Sequence, residues 1–134
     1  KIKFFFEILK VYFLKRKNIN KKKAPIINGD GQQTRDYIFI RDIVHANLLA
    51  LNLNDSDTFN VGTGQETTVK KLTELILEVS ETNITTQTSK KNNFEQRRSS
   101  LDNKKLKEAL EWSPQFSLKE GLSETFIFFK NNEN

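Results

Sequence analysis

The sequence contains no cysteine and no methionine, and it has only two prolines, one histidine and one tryptophan among its 134 residues. Without cysteine it can form no disulfide framework, no thiolate nucleophile and no cysteine-based zinc site, and a reducing, cytoplasmic setting is favoured. The length is that of a single domain. Because the chain begins at Lys1 rather than Met and lacks methionine throughout, we expect a fragment of a longer protein.

Long apolar runs are also missing. The most apolar stretch, residues 4–14, is interrupted by Glu7 and Lys10 and is shorter than the roughly 20 residues that span a bilayer. It lacks the small-residue cleavage pattern of a signal peptide. We therefore expect no membrane partner, and we interpret the stretch as a helix whose apolar residues are covered by other parts of the protein.

Positive charge is concentrated at the start of the chain. Residues 1–23 hold nine Lys or Arg and one Glu, whereas the whole chain has a net charge of +5, so the remainder is net negative by three. A basic segment can bind nucleic acid or a membrane surface. No glycine or aromatic residue is interleaved with the basic cluster at 15–23, however, and no nucleic-acid motif accompanies it, so we predict a solvated segment and no nucleic-acid partner.

The remaining sequence alternates between helix and strand signals, which predicts an α/β fold of mostly helices with a few short strands. Trp112 is expected in the core. Four helices are predicted: one capped by Asp42, one from about Thr68, one at 103–111 capped by Asp102, and a last one opened by a Ser117/Glu120 capping box. Short strands are predicted at 37–40, at 58–61 and around 85–88.

A two-glycine turn precedes an arginine at residues 29–36. Gly29 and Gly31 allow a tight turn with positive φ, and Arg35 follows it with a planar guanidinium that suits a phosphate or a carboxylate. The stretch predicts an anion site. A structural ion pair between Arg35 and Asp30 or Asp36 explains the same residues equally well.

Other candidate motifs are incomplete. The Gly62-Thr63-Gly64 turn lacks the third glycine of a dinucleotide-binding fingerprint, because Thr67 stands in its place. A calcium loop from Asp55 lacks its central glycine. His45 has no serine or cysteine near it in sequence, and neither tyrosine is followed four residues later by a lysine. The chain therefore shows no metal site and no complete set of catalytic groups.

The order of the motifs is nevertheless informative. It comprises Gly-Asp-Gly-x-x-Thr-Arg-Asp at 29–36, Phe-Asn-Val-Gly-Thr-Gly at 59–64, Asp102, Leu-Glu-Trp-Ser-Pro at 110–114 and Ser-Leu-Lys-Glu-Gly-Leu at 117–122. Over roughly residues 11–129 this order resembles the C-terminal half of the nucleotide-sugar epimerases and dehydratases of the extended short-chain dehydrogenase/reductase family, and UDP-glucose 4-epimerases look most similar.

The resemblance implies a substrate-binding part at 24–130, preceded by a basic and apolar lead segment at 1–23 and followed by a polar tail at 131–134. An upstream Rossmann domain, absent here, would bind NAD, carry the catalytic Tyr-x-x-x-Lys pair and form the homodimer of the parent enzyme. No catalytic or cofactor-binding residue is then expected within this chain. The expected ligand is a nucleotide sugar, with a UDP-sugar favoured.

The resemblance also implies roles for individual residues. Arg35 would bind the substrate diphosphate, Asn60 would lie near the substrate pocket, and Arg97 would compensate for Asn92, which stands where the family has a second phosphate-binding arginine. The segment that would lie against the nucleotide base consists of Pro25, Ile26, Ile27 and Asn28.

Two alternatives remain open. The parent could be a 4,6-dehydratase or a UDP-glucuronate decarboxylase, since these enzymes begin with the same oxidation of the sugar by NAD. The chain could also be a non-catalytic remnant or an interaction module that uses residues 4–13 as its contact surface.

Overall fold

The computed structural model describes residues 24–90 and 96–132, so the predictions for the lead segment 1–23 and for Asn92 lie outside the described residues. The predicted α/β character is confirmed: the described residues contain four helices and a few short strands. In chain order these are β1 (Ile26–Asn28), β2 (Thr34–Arg35), α1 (Ile40–Ala50), β3 (Thr67–Thr68), α2 (Val69–Val79), β4 (Gln87–Ser89), α3 (Lys104–Leu110) and α4 (Leu118–Asn131).

The strands form two separate pairs. β1 and β4 are parallel, with Ile27 opposite Thr88, and β2 and β3 are antiparallel, with Arg35 opposite Thr67. Ile27 is buried whereas its neighbours Ile26 and Asn28 are exposed, which is the alternation expected of a strand with one covered face. The short strand predicted around 85–88 is thus present as β4, at Gln87–Ser89.

The predicted strand at 37–40 is wrong. Residues 36–39 have no strand partner among the described residues, and Ile40 already belongs to α1. Tyr37 and Ile38 are both buried, but each contributes to a different core cluster. The run is apolar because the chain crosses between two cores, so its hydrophobicity does not report membership of a sheet.

The predicted start of α1 is also wrong. Phe39 is the N-cap residue and makes no side-chain capping bond. Asp42 lies in the first turn of the helix, fully buried, where its Oδ1 accepts a hydrogen bond from the main-chain N–H of Gln115 at 2.8 Å. A long-range partner has therefore taken the carboxylate that the sequence pattern assigned to a local cap.

The other helix starts agree better with the sequence. Thr68 caps α2 by accepting from Lys71 N at 3.0 Å, and the Ser117/Glu120 capping box opens α4. α3 has Asn103 as its N-cap, one residue after the predicted Asp102. At 58–61 only Asn60 makes a bridge, so the strand predicted there is wrong.

Two hydrophobic clusters form the core. The first surrounds Trp112, which is 1% exposed and donates from Nε1 to Asp42 O at 3.2 Å; this confirms the prediction that the tryptophan is buried. The second joins α2 to α4. The buried members of the first cluster are Ile38, Ile43, Ala46, Phe59, Val61, Leu106 and Trp112, and those of the second are Tyr37, Leu72, Ile76 and Leu122.

One side of α1 remains uncovered within the described residues. We call it the α1 outer face; it consists of Ile40, Val44, Leu48 and Leu51, whose exposures are 43%, 49%, 58% and 79%. These residues recur at helical spacing and so form one apolar stripe. Among the described residues, no helix has the length and apolar character needed to cross a membrane.

Candidate functional site

The turn after β1 requires its two glycines. Gly29 and Gly31 have φ values of +69° and +71°, which favour glycine. A Cβ on Gly31 would also lie 2.9 Å from Cγ2 of Ile27. The side chain of Asp30 closes the turn by accepting a hydrogen bond from Gln32 N at 2.9 Å. The chain therefore turns tightly between β1 and β2.

Arg35 lies at the end of β2 and is partly buried. Its Nη1 donates to the carbonyl oxygens of Thr34 and Gln96, at 2.7 and 2.8 Å. These two hydrogen bonds fix the orientation of the guanidinium. Because the side chain is already ordered, less conformational entropy is lost when it contacts a ligand.

Arg97 is brought to the same place. Thr34 N donates to the main-chain oxygen of Arg97 at 3.0 Å, so residues 96–98 run beside β2. The Arg97 guanidinium forms a bidentate ion pair with Asp30, through bonds of 2.9 to 3.0 Å. Hydrogen bonding to Asp30 raises the pKa of Arg97 above its ordinary value. Arg97 therefore contacts the 29–31 turn, and Arg35 contacts the segment that carries Arg97.

Asp36, which follows Arg35 in sequence, is bound by several main-chain N–H groups. Asp36 is 7% exposed, and its carboxylate accepts hydrogen bonds from Thr63 N and Gly64 N, both at 2.9 Å, and from Leu101 N at 3.3 Å. The Thr63 hydroxyl donates to the same carboxylate. The Gly-x-Gly turn that lacked a complete nucleotide fingerprint therefore binds a carboxylate of the chain itself.

A second arginine–carboxylate pair borders the site. Arg98 donates to Glu66 with a shortest distance of 2.7 Å, and the Thr34 hydroxyl donates to the same carboxylate. The hydrogen bonds from Arg98 and Thr34 lower the pKa of Glu66 from 4.5 to about 2. The segment 96–98 is thus attached to both the 29–31 turn and the loop before β3.

The remaining candidates lie at two separate places. In β1, Pro25 and Ile27 are buried, whereas Ile26 is 52% exposed and Asn28 accepts from Ser89 Oγ at 2.9 Å. Asn60 is exposed and donates to the main-chain oxygen of Asp102 at 3.3 Å. The structure thus connects Arg97 to the turn that follows β1 and places Asn60 against the loop before α3.

Sequence reasoning missed the roles of Asp36, Glu66 and Arg98. The sequence pattern predicts Asp36 only as an ion-pair partner for Arg35. The one signal for its actual role is the Gly-x-Gly turn, which has amide donors but lacks the fingerprint of a phosphate site. Across the two described ranges, no group of three or more His, Cys, Asp or Glu residues is placed to hold a metal ion.

Comparison with known proteins supports a single family. The family described as GDP-mannose 4,6 dehydratase matches residues 8–125. UDP-glucose 4-epimerase of Mycolicibacterium smegmatis is 39% identical over 106 residues, covering 78% of this chain and 34% of the relative. UDP-glucuronic acid decarboxylase 1 of Arabidopsis thaliana is 35% identical over 112 residues, covering 82% of this chain and 26% of the relative.

Solved structures agree. The crystal structure of UDP-glucose 4-epimerase from Thermotoga maritima with UDP-glucose superimposes with a TM-score of 0.83 at 36% identity, over 90% of this chain and 39% of that one. UDP-glucuronic acid 4-epimerase from Bacillus cereus, solved in complex with NAD, shares the fold with a TM-score of 0.76 at 23% identity, over 90% of this chain and 39% of that one.

The chain spans about a third of the length of the curated relatives it matches. The family match nevertheless covers most of its residues, and both the motif order and the fold agree with it. The chain belongs to the NAD-dependent nucleotide-sugar epimerase/dehydratase family.

Proposed function

We propose that this chain is the C-terminal, nucleotide-sugar-binding part of a UDP-glucose 4-epimerase. The observation that carries the proposal is the placement of Arg35 and Arg97 on adjacent, hydrogen-bonded segments, with the Arg35 guanidinium oriented by two carbonyls. Two arginines on adjacent segments suit a diphosphate, which presents several oxygens with negative charge.

Each candidate residue then has a role. Arg35 contacts the diphosphate, and Arg97 supplies a second positive charge. Ile26 and Asn28 face the nucleotide base, since they are the exposed residues of β1, while the buried Pro25 and Ile27 hold the strand in place. Asn60 lines a more distant part of the substrate pocket.

The chemistry belongs to the rest of the parent enzyme. A Rossmann domain there would hold NAD, which would supply the hydride-transfer chemistry, and would carry the tyrosine and lysine that act on the sugar hydroxyl. Binding energy at the diphosphate positions the sugar for that distant step. The parent is a cytoplasmic homodimer, and this chain alone has no turnover.

The test is Arg35→Ala in the full-length protein that contains these 134 residues. UDP-glucose affinity, measured by calorimetry, should fall by about 2 kcal/mol, the size of a charge-assisted contact. Arg41→Ala is the matched control, because Arg41 is also a paired arginine but lies on α1 with Glu124 as its partner. Unchanged affinity in Arg35→Ala would rule out the assigned role.

A decarboxylase is the second candidate, because a UDP-glucuronic acid decarboxylase is 35% identical over 82% of this chain. Incubation of the full-length protein with UDP-glucose and with UDP-glucuronic acid distinguishes the two activities. A 4-epimerase converts the first without loss of carbon, whereas a decarboxylase releases carbon dioxide from the second.

A further inference from the structure

We infer that Asp36 is a positioning residue of the diphosphate site: it fixes the segment 96–101, and this segment orients the Arg35 guanidinium. This inference rests on the proposed function of Arg35. Asp36 is buried and its carboxylate is bonded to main-chain N–H groups, so its effect on binding passes through its neighbours.

Arg35 and Asp36 form hydrogen bonds with the two ends of the segment 96–101. Arg35 Nη1 donates to the carbonyl oxygen of Gln96 at 2.8 Å, and Asp36 Oδ2 accepts from Leu101 N at 3.3 Å. Between them, Thr34 N donates to Arg97 O at 3.0 Å. Three consecutive residues, 34–36, therefore hold the segment that orients the guanidinium and carries Arg97.

Both carboxylate oxygens are needed for this arrangement. Oδ1 accepts from Thr63 N, and Oδ2 accepts from Gly64 N and Leu101 N. In Asp36→Asn one of these oxygens becomes an NH2 group, which can only donate. Either orientation of the amide then faces at least one main-chain N–H with a donor and leaves a buried group unsatisfied.

The Asp36 carboxylate packs closely against Gly62. A Cβ added to Gly62 would lie 2.7 Å from Oδ2 of Asp36 and 2.9 Å from Cβ of Leu101. The carboxylate is thus packed directly against the main chain of the turn. Loss of the Leu101 contact is expected to loosen the segment 96–101, and with it the carbonyl that orients Arg35.

The experiment is a double-mutant cycle in the full-length protein, with UDP and uridine as probes. Asp36→Asn should weaken UDP binding roughly tenfold and leave uridine binding unchanged, because the effect passes through the diphosphate contact. In an Arg35→Ala background, Asp36→Asn should weaken UDP binding much less, because only the contact of Arg97 with the diphosphate is then left to lose.

Asp42→Asn is the matched control. Asp42 is 1% exposed and also accepts from a distant main-chain N–H, that of Gln115, but this partner lies in the loop before α4 and not in the segment 96–101. Asp42→Asn should preserve UDP affinity.

Three results would overturn the positioning role: equal losses for UDP and uridine, equal losses in both backgrounds, or Arg35→Ala weakening UDP binding while Asp36→Asn does not. If Arg35→Ala itself leaves UDP affinity unchanged, the proposed function of Arg35 fails first. That outcome is read from the single variant alone, so the two failures are distinguishable.

Discussion

Arg97 and Asp30, which are 67 positions apart in sequence, form a bidentate ion pair across the turn that follows β1. The side chains are 51% and 50% exposed, so the pair lies at the surface and contributes little to stability. Its location matters more than its strength, since Asp30 neutralises one of the two arginines assigned to the diphosphate.

Asp30→Asn should therefore tighten UDP binding in the full-length protein. Removing the competing carboxylate leaves Arg97 available to the ligand, and an exposed pair worth up to about 1 kcal/mol corresponds to a gain of up to about fivefold. The affinity is measured by calorimetry. Asp57→Asn is the control, because Asp57 is likewise an exposed, paired carboxylate, with Lys105 as its partner. Weaker UDP binding in Asp30→Asn would contradict the competition.

Stability should fall in acid through Glu66. Its pKa is lowered from 4.5 to about 2 by hydrogen bonds from Arg98 and Thr34, so the folded state favours the ionised form. The stabilisation is fully present above about pH 4.5 and is lost as the pH falls towards 2. Between these values the melting temperature of the wild-type protein should fall more steeply than that of Glu66→Gln. Glu108→Gln, an exposed residue of α3, should follow the wild-type curve; parallel curves for Glu66→Gln would contradict the linkage.

Ser117→Ala should destabilise the fold by about 1 kcal/mol, because it removes the N-cap of α4 and half of its capping box. Denaturant unfolding measures the loss. Ser123→Ala offers a matched serine in the middle of the same helix, where the hydroxyl donates only to Lys119 O, and it should change stability by less. A larger loss at Ser123 would show that the cap is not the source of the stability of α4.

The 134-residue chain on its own should self-associate through the α1 outer face, whose four apolar residues are uncovered within the described residues. We expect this helix to pack on the Rossmann domain of the proposed parent enzyme. Leu48→Gln should shift the sedimentation profile towards monomer, whereas Lys107→Gln on α3 should not. A monodisperse wild-type monomer that unfolds cooperatively would contradict this expectation.

Local sequence signals gave good predictions for the starts of two helices. The capping box of α4 and the start of α2 at Thr68 depend on side chains three residues from the amides they bind, so a local pattern is enough to locate them. The strand predicted at 37–40 is wrong, because an apolar run can be either a strand paired in a sheet or an irregular segment that passes between two hydrophobic clusters, and hydrophobicity does not distinguish them. The Asp42 cap is wrong because a distant amide competes for the carboxylate.

The sequence by itself determined the family and the α/β character, because these depend on motif order and on residue types at short spacing. Only the tertiary structure decided which charges meet. Asp30 pairs with Arg97, Glu66 with Arg98, and Asp36 with the turn at 63–64. These partners are separated by 27 to 67 positions. Several donors in the sequence could bind each carboxylate, and the fold determines which of them lies within hydrogen-bond distance. No local sequence pattern contains that information.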